Sequence, residues 1–168
     1  MLRESEVEMN DQASAIGVVS RDVLLSHDGL SFLRALIDGT LPSPPITETL
    51  GFRLTEVEPG RAVFEGVPDY RHYNPLGVVH AGFAATMVDS AMGCAVHSTC
   101  AKGEGYTTLE FKLNLVRAIT KSTGLIKATA RIVHRGRSIA TAEGDVRDEA
   151  GTLYAHATTT CMIFPAKG

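Results

Sequence analysis

The sequence predicts an α+β fold in which an antiparallel sheet of about six strands curves around one long buried helix. Two observations carry this. A segment from about His80 to Cys100 is apolar around well over half its circumference at helical spacing. Stretches of period-two patterning lie on both sides of it, two before and four after.

Taken in order, residues 1 to 12 are polar, and Ala13 to His27 carries weak helical patterning through Ile16, Val19 and Val23, compatible with a helix or an irregular arm. Ser31 to Gly39 forms a clearer helix, with Asp28 or Ser31 as its cap and Gly39 as its stop. Pro42, Pro44 and Pro45 force an extended linker, and Ile46 to Leu50 reads as a short helical turn. Residues 1–40 are thus expected to form a helical extension, and 41–168 the main domain. Phe52 to Glu58 and Arg61 to Val67 pair as a hairpin about Pro59-Gly60. After the central helix, Tyr106 to Val116 alternates, placing Leu109, Phe111, Leu113 and Leu115 on one face and Thr108, Glu110, Lys112 and Asn114 on the other. Gly124 to His134 is the next strand, followed by a tight basic turn. Ser138 to Arg147 and Thr152 to Phe164 close the chain as a hairpin.

Composition narrows the function. With 168 residues, 44% hydrophobic and 21% charged, the chain suits a single domain with a real core. A formal net charge of -3 gives no electrostatic reason for a nucleic-acid partner, and the first 40 residues contain no basic recognition helix. Cys94, Cys100 and Cys161 form no metal-ligand spacing, and their odd number argues against a disulfide framework. The acidic start Met1 to Glu6 lacks a signal-peptide run, and no apolar stretch spans a membrane, so a cytoplasmic protein is expected.

Within the central helix one stripe departs from the apolar pattern: Gly82, Thr86, Asp89, Ser90 and Gly93. Asp89 is the single carboxylate there, on a line of small residues where a backbone or a ligand can approach. A buried aspartate must be paired, hydrogen-bonded or protonated, and such groups concentrate at functional sites.

The loop entering that helix reads Asn74-Pro75-Leu76-Gly77-Val78-Val79-His80-Ala81-Gly82, with Asp89 nine residues after the histidine. It resembles the Asn-x-x-Gly-x-x-His-Gly-Gly loop and following acid of the hotdog-fold thioesterases, in particular the phenylacetate-degradation (PaaI-type) branch of the 4-hydroxybenzoyl-CoA thioesterase-like superfamily. The similarity continues through Thr107-Thr108-Leu109-Glu110-Phe111 and the turn Arg135-Gly136-Arg137-Ser138, and covers residues 40–165. Ala81 stands where the branch has the first glycine of its pair.

The resemblance implies hydrolysis of an acyl- or aryl-CoA thioester to free acid and coenzyme A, with coenzyme A as part of the substrate, no separate cofactor and no metal. It implies a homodimer or homotetramer with shared active sites, and a role in aromatic compound catabolism. By the same resemblance Asp89 is general base or nucleophile, the Ala81 N–H at the helix start polarises the carbonyl, Asn74 binds that carbonyl or orients water, and Thr108 holds the attacking water. His80 completes the catalytic set, while Gly82 and the turn Arg135, Gly136, Arg137 and Ser138 contact the substrate. Each has a plainer reading. His80 also reads as a structural residue between loop and helix, Asn74 as a turn former, the two arginines as solvated, and His72 as an ordinary exposed side chain. The same fold also serves non-catalytic acyl-CoA-binding regulatory modules and hydratases or dehydratases.

Overall fold

In the computed structural model, which describes residues 15–166, three short helices precede the sheet: α1 (Arg21–Ser26), α2 (Gly29–Ile37) and α3 (Pro45–Leu50). The polar N-terminal dozen lies outside the described residues. Of the described residues in the segment with weak helical patterning, 15–20 are irregular, with Ile16 bridged to Ser43, and the six residues of α1 are helical. Asp28 caps α2, accepting the Ser31 N–H at 2.9 Å. Gly29 is required there: an added Cβ would stand 1.7 Å from the His97 carbonyl oxygen, so α2 docks backbone to backbone on the end of the central helix.

The strands are β1 (Phe52–Glu58), β2 (Arg61–Gly66), β3 (Glu104–Leu115), β4 (Ile126–Arg135), β5 (Ile139–Asp148) and β6 (Leu153–Pro165). They form one antiparallel sheet in the order β1-β2-β4-β5-β6-β3. Its inner face is lined by small side chains: Ala128, Ala130, Ala140, Ala142, Ala155 and Ala157 are all buried. The bulk comes from the helix α4 (Ala81–His97), whose Phe83, Met87, Val88, Met92 and Val96 fill the concavity. Small residues on the sheet and large ones on the helix let the two approach closely. At Gly144 the contact tightens to 3.0 Å between a would-be Cβ and Val88 Cγ2.

The alternation expected for β3 is broken. Pairing with β6 slips between Thr108 and Glu110, a β-bulge that leaves Leu109 over. Tyr106 and Thr108 oppose the buried Ile163 and Cys161, and beyond the bulge Phe111 and Leu113 oppose the buried Thr159 and Ala157. Thr108 therefore shares the helix-facing side with Leu113, where simple alternation would put it opposite.

Candidate active site

The loop from Asp69 to His80 is built by its own side chains. His72 is buried, correcting the expectation of an exposed ring. Its Nδ1 accepts the Asp69 N–H at 2.9 Å, its ring packs on Phe83 with centroids 4.5 Å apart, and burial followed by the Arg71 charge lowers its pKa. Its carbonyl accepts the His80 N–H at 2.7 Å, and Tyr73 bridges Val79, so both ends of the loop are pinned. Between them the Asn74 carboxamide oxygen accepts the Leu76 N–H at 2.9 Å. Asn74 is thus a turn former through its oxygen, and its amide group remains a donor.

His80 is the N-cap of α4. Its Nδ1 accepts the Gly82 N–H at 2.9 Å, and its carbonyl takes the Phe83 N–H at 3.0 Å. Two of the orphan donors at the helix start are thereby occupied. The Ala81 N–H makes no hydrogen bond among the described residues. It points out of the positive end of a 17-residue helix. Asn74, Val78 and Ala81 line a cleft of about 370 Å³ with the connection Leu115–Ile119.

Just over two turns along α4 from Ala81 lies Asp89, half-buried. Thr108 Oγ1 donates to Asp89 Oδ1 at 3.2 Å. Burial raises the Asp89 pKa and the Thr108 hydrogen bond pulls it back, which makes the carboxylate more basic than an ordinary aspartate. The neighbouring hydroxyls are turned inward on the helix: Thr86 donates to the Gly82 carbonyl and Ser90 to the Thr86 carbonyl, each at 2.8 Å. The nearby thiols are held in the protonated form. Burial holds the Cys94 thiol at about 12 and the Cys100 thiol at about 11, with Asp89 adding to the first.

The structure joins Asp89 to Thr108, and Asn74 to Ala81, but it does not join the two pairs within one chain. Ala81 and Asp89 are eight residues apart on one helix, about 12 Å along its axis. The turn Arg135 to Ser138 lies at the opposite end of α4 from Ala81. Arg135 is paired there with Glu104 at 2.9 Å, and Glu104 also accepts the Ala101 N–H. Gly136 and Ser138 shape the turn through backbone bonds to Ile139 and Ile163, while Arg137 is exposed.

Comparison with known proteins places the fold in a family. The sequence model of the thioesterase superfamily matches residues 76–155. The TT0310 protein of Thermus thermophilus is 30% identical over 70% of this chain and 96% of its own, with a TM-score of 0.63. The chain belongs to the thioesterase superfamily. It is a thioester hydrolase with the hotdog fold of that superfamily. A phenylacetic acid degradation-related protein from Ralstonia eutropha JMP134 is 29% identical, with a TM-score of 0.71 covering 78% of this chain and 98% of that one. The 1,4-dihydroxy-2-naphthoyl-CoA hydrolase of Listeria monocytogenes is 26% identical over 118 residues, 70% of this chain and 94% of that hydrolase. The superfamily model matches this chain from the loop before α4 to the start of β6, whereas α1, α2 and α3, with β1 and β2, lie outside the matched residues.

Proposed function

We propose that this protein hydrolyses acyl-CoA thioesters with Asp89 as the acting carboxylate, in the manner of the PaaI-type branch, at sites shared between two subunits. The observation that carries the reading is the Thr108–Asp89 hydrogen bond, which aims one oxygen of a half-buried carboxylate. Asp89 removes a proton from water as the water oxygen bonds to the thioester carbonyl carbon. The oxyanion is held by the Ala81 N–H and the Asn74 amide. Collapse breaks the C–S bond, the sulfur leaves as coenzyme A and takes the proton, and the free acid departs. A base and an oxyanion donor must both lie about 3 Å from the same reacting centre. The ~12 Å between Ala81 and Asp89 along one helix does not permit this, which favours donors from a second copy.

The sheet edge supports that copy. β3 is an edge strand of 12 residues, and Leu109, Phe111 and Leu115 are 54%, 39% and 50% exposed on it. A long apolar edge is a pairing surface, and two-fold pairing of β3 brings each Asp89 toward its partner's loop. Residues 1–40 in this reading extend the hotdog domain of 41–168, and the reaction takes place in the cytoplasm without a separate cofactor. Thiol release measured over a panel of aryl- and alkyl-acyl-CoAs tests the proposal. Activity that survives Asp89→Asn at the normal rate would remove it.

A further inference from the structure

α4 and β3 face each other along a strip that runs past Asp89. Asp89, Gly93 and His97 recur at four-residue spacing and share a helix face, while Thr108, Tyr106 and Glu104 share a strand face before the bulge. They meet in order. The Thr108 hydroxyl binds Asp89, and the Tyr106 hydroxyl sits over Gly93, 2.8 Å from where a Cβ would stand. The Tyr106 ring then lies against His97, centroids 5.2 Å apart. At the far end is a cavity of about 340 Å³ lined by Leu24, Leu25, His97, Tyr106 and Phe164, with Arg21 and Glu104 as its charged members. One wall is α1, which lies outside the segment matched to the superfamily.

We infer that this cavity receives the distal, apolar end of the acyl group, and that α1 thereby sets the acyl length the enzyme accepts. The inference rests on Asp89 as the acting carboxylate. His97 lies eight residues past Asp89, so the cavity begins about 12 Å along α4 from the acting carboxylate. A two-carbon acyl group ends before it, and a medium-length aliphatic chain reaches into it. Tyr106 stands between the two, and its hydroxyl makes no hydrogen bond among the described residues, so none holds the ring against a chain passing beside it. The lining also favours the acyl end over the pantetheine arm of coenzyme A. Pantetheine is rich in amides that need partners when buried. The Glu104 carboxylate is already bound by Arg135 and the Ala101 N–H.

The test is kcat/KM of the full-length protein over straight-chain acyl-CoAs from acetyl to palmitoyl, for the wild type, Leu24→Trp and Leu24→Ala. Leu24 is 40% exposed, so neither change threatens the fold. Tryptophan should fill the cavity and lower kcat/KM for the long members at least ~10-fold, with acetyl-CoA unchanged, while alanine moves the optimum to longer chains. A uniform factor across all lengths overturns the inference. So does an altered inhibition constant for free coenzyme A with an unmoved length profile, which would give the cavity to pantetheine. A wild type that releases thiol from no acyl-CoA defeats the proposed function and this inference together. An active wild type whose profile neither variant shifts defeats only the cavity assignment.

Discussion

Thr108 on the edge strand donates to Asp89 in the middle of α4, and a one-residue bulge just after Thr108 lets it share the helix-facing side with Leu113. The hydroxyl donates and the carboxylate accepts, so the bond stabilises the ionised form. Replacing Thr108 by Val keeps the shape and removes the donor. The Asp89 pKa should then rise further, since burial already raises it and only this bond opposes. The acid limb of the kcat/KM profile moves to higher pH in Thr108→Val, and a limb that stays in place would detach Thr108 from the acting carboxylate.

Asp89→Asn is expected to lower turnover by at least ~10²-fold and yet to raise stability. A carboxyl whose folded pKa lies above its unfolded value favours the folded state when protonated and loses that advantage as pH rises through the folded pKa. At neutral pH Asp89 therefore carries an ionisation cost that asparagine lacks. The variant's melting temperature should exceed the wild type's at pH 7, with the difference shrinking as pH falls toward the ordinary value of 3.8. A variant less stable than wild type at pH 7 contradicts the burial account.

The opposite sign holds for His97. Burial between Phe32 and Tyr106 lowers its pKa from 6.5 to about 4, with the Asp28 charge opposing. A depressed histidine contributes stability above its unfolded pKa and loses it as pH falls through the folded value. Part of the acid destabilisation between 6.5 and about 4 thus belongs to this ring. His97→Phe should flatten that stretch of the melting-temperature profile, and an unchanged slope would show that the protonation cost lies elsewhere.

Much of the architecture is legible in the sequence because its signals are local. The all-round apolarity of α4, the Pro59-Gly60 hairpin and the final hairpin each follow from neighbours in the chain, and β1 spans the residues its pattern predicts. The miss in β3 is tertiary. Leu109 alternates correctly with Phe111 and Leu113 as text, and only pairing to β6 shows that a residue is skipped. His72 reads as surface because its partners, the Asp69 backbone and the Phe83 ring, are brought to it by the loop's closure. Arg135 reads as a free cation because Glu104 lies 31 residues away. Tyr106 and His97 carried no site signal in the sequence, since their meeting depends on the register of strand against helix.

At the helix start the Gly82 and Phe83 donors are occupied and the Ala81 N–H is not. Ala81→Pro removes that donor at the first helical position, where proline fits, and His80 already has the extended backbone that a following proline requires (φ -60, ψ 137). The variant should fold with unchanged circular dichroism and lose about 10²–10³-fold in kcat. Ala81→Gly keeps the N–H and should stay within a few-fold of wild type. Full activity in a folded Ala81→Pro protein would take the oxyanion role away from this residue.

The shared site has a direct test in subunit mixing. Asn74→Ala and Asp89→Asn each disable one half of every pocket if Asn74 of one chain serves Asp89 of the other. In an equal mixture with complete exchange, half the dimers are mixed. Each mixed dimer carries both lesions in one pocket and neither in the second, so about a quarter of all pockets are wild-type. Activity should therefore rise to roughly a quarter of the wild-type level, from two parents that are each nearly inactive. In the proposed dimer, the 12-residue edge of β3, with its exposed Leu109, Phe111 and Leu115, is the surface across which exchange would occur. Exchange is followed independently by mass labelling of one parent. If mixed dimers form and no activity returns, Asn74 and Asp89 act within one chain, and the ~12 Å along α4 between Ala81 and Asp89 would have to be closed some other way.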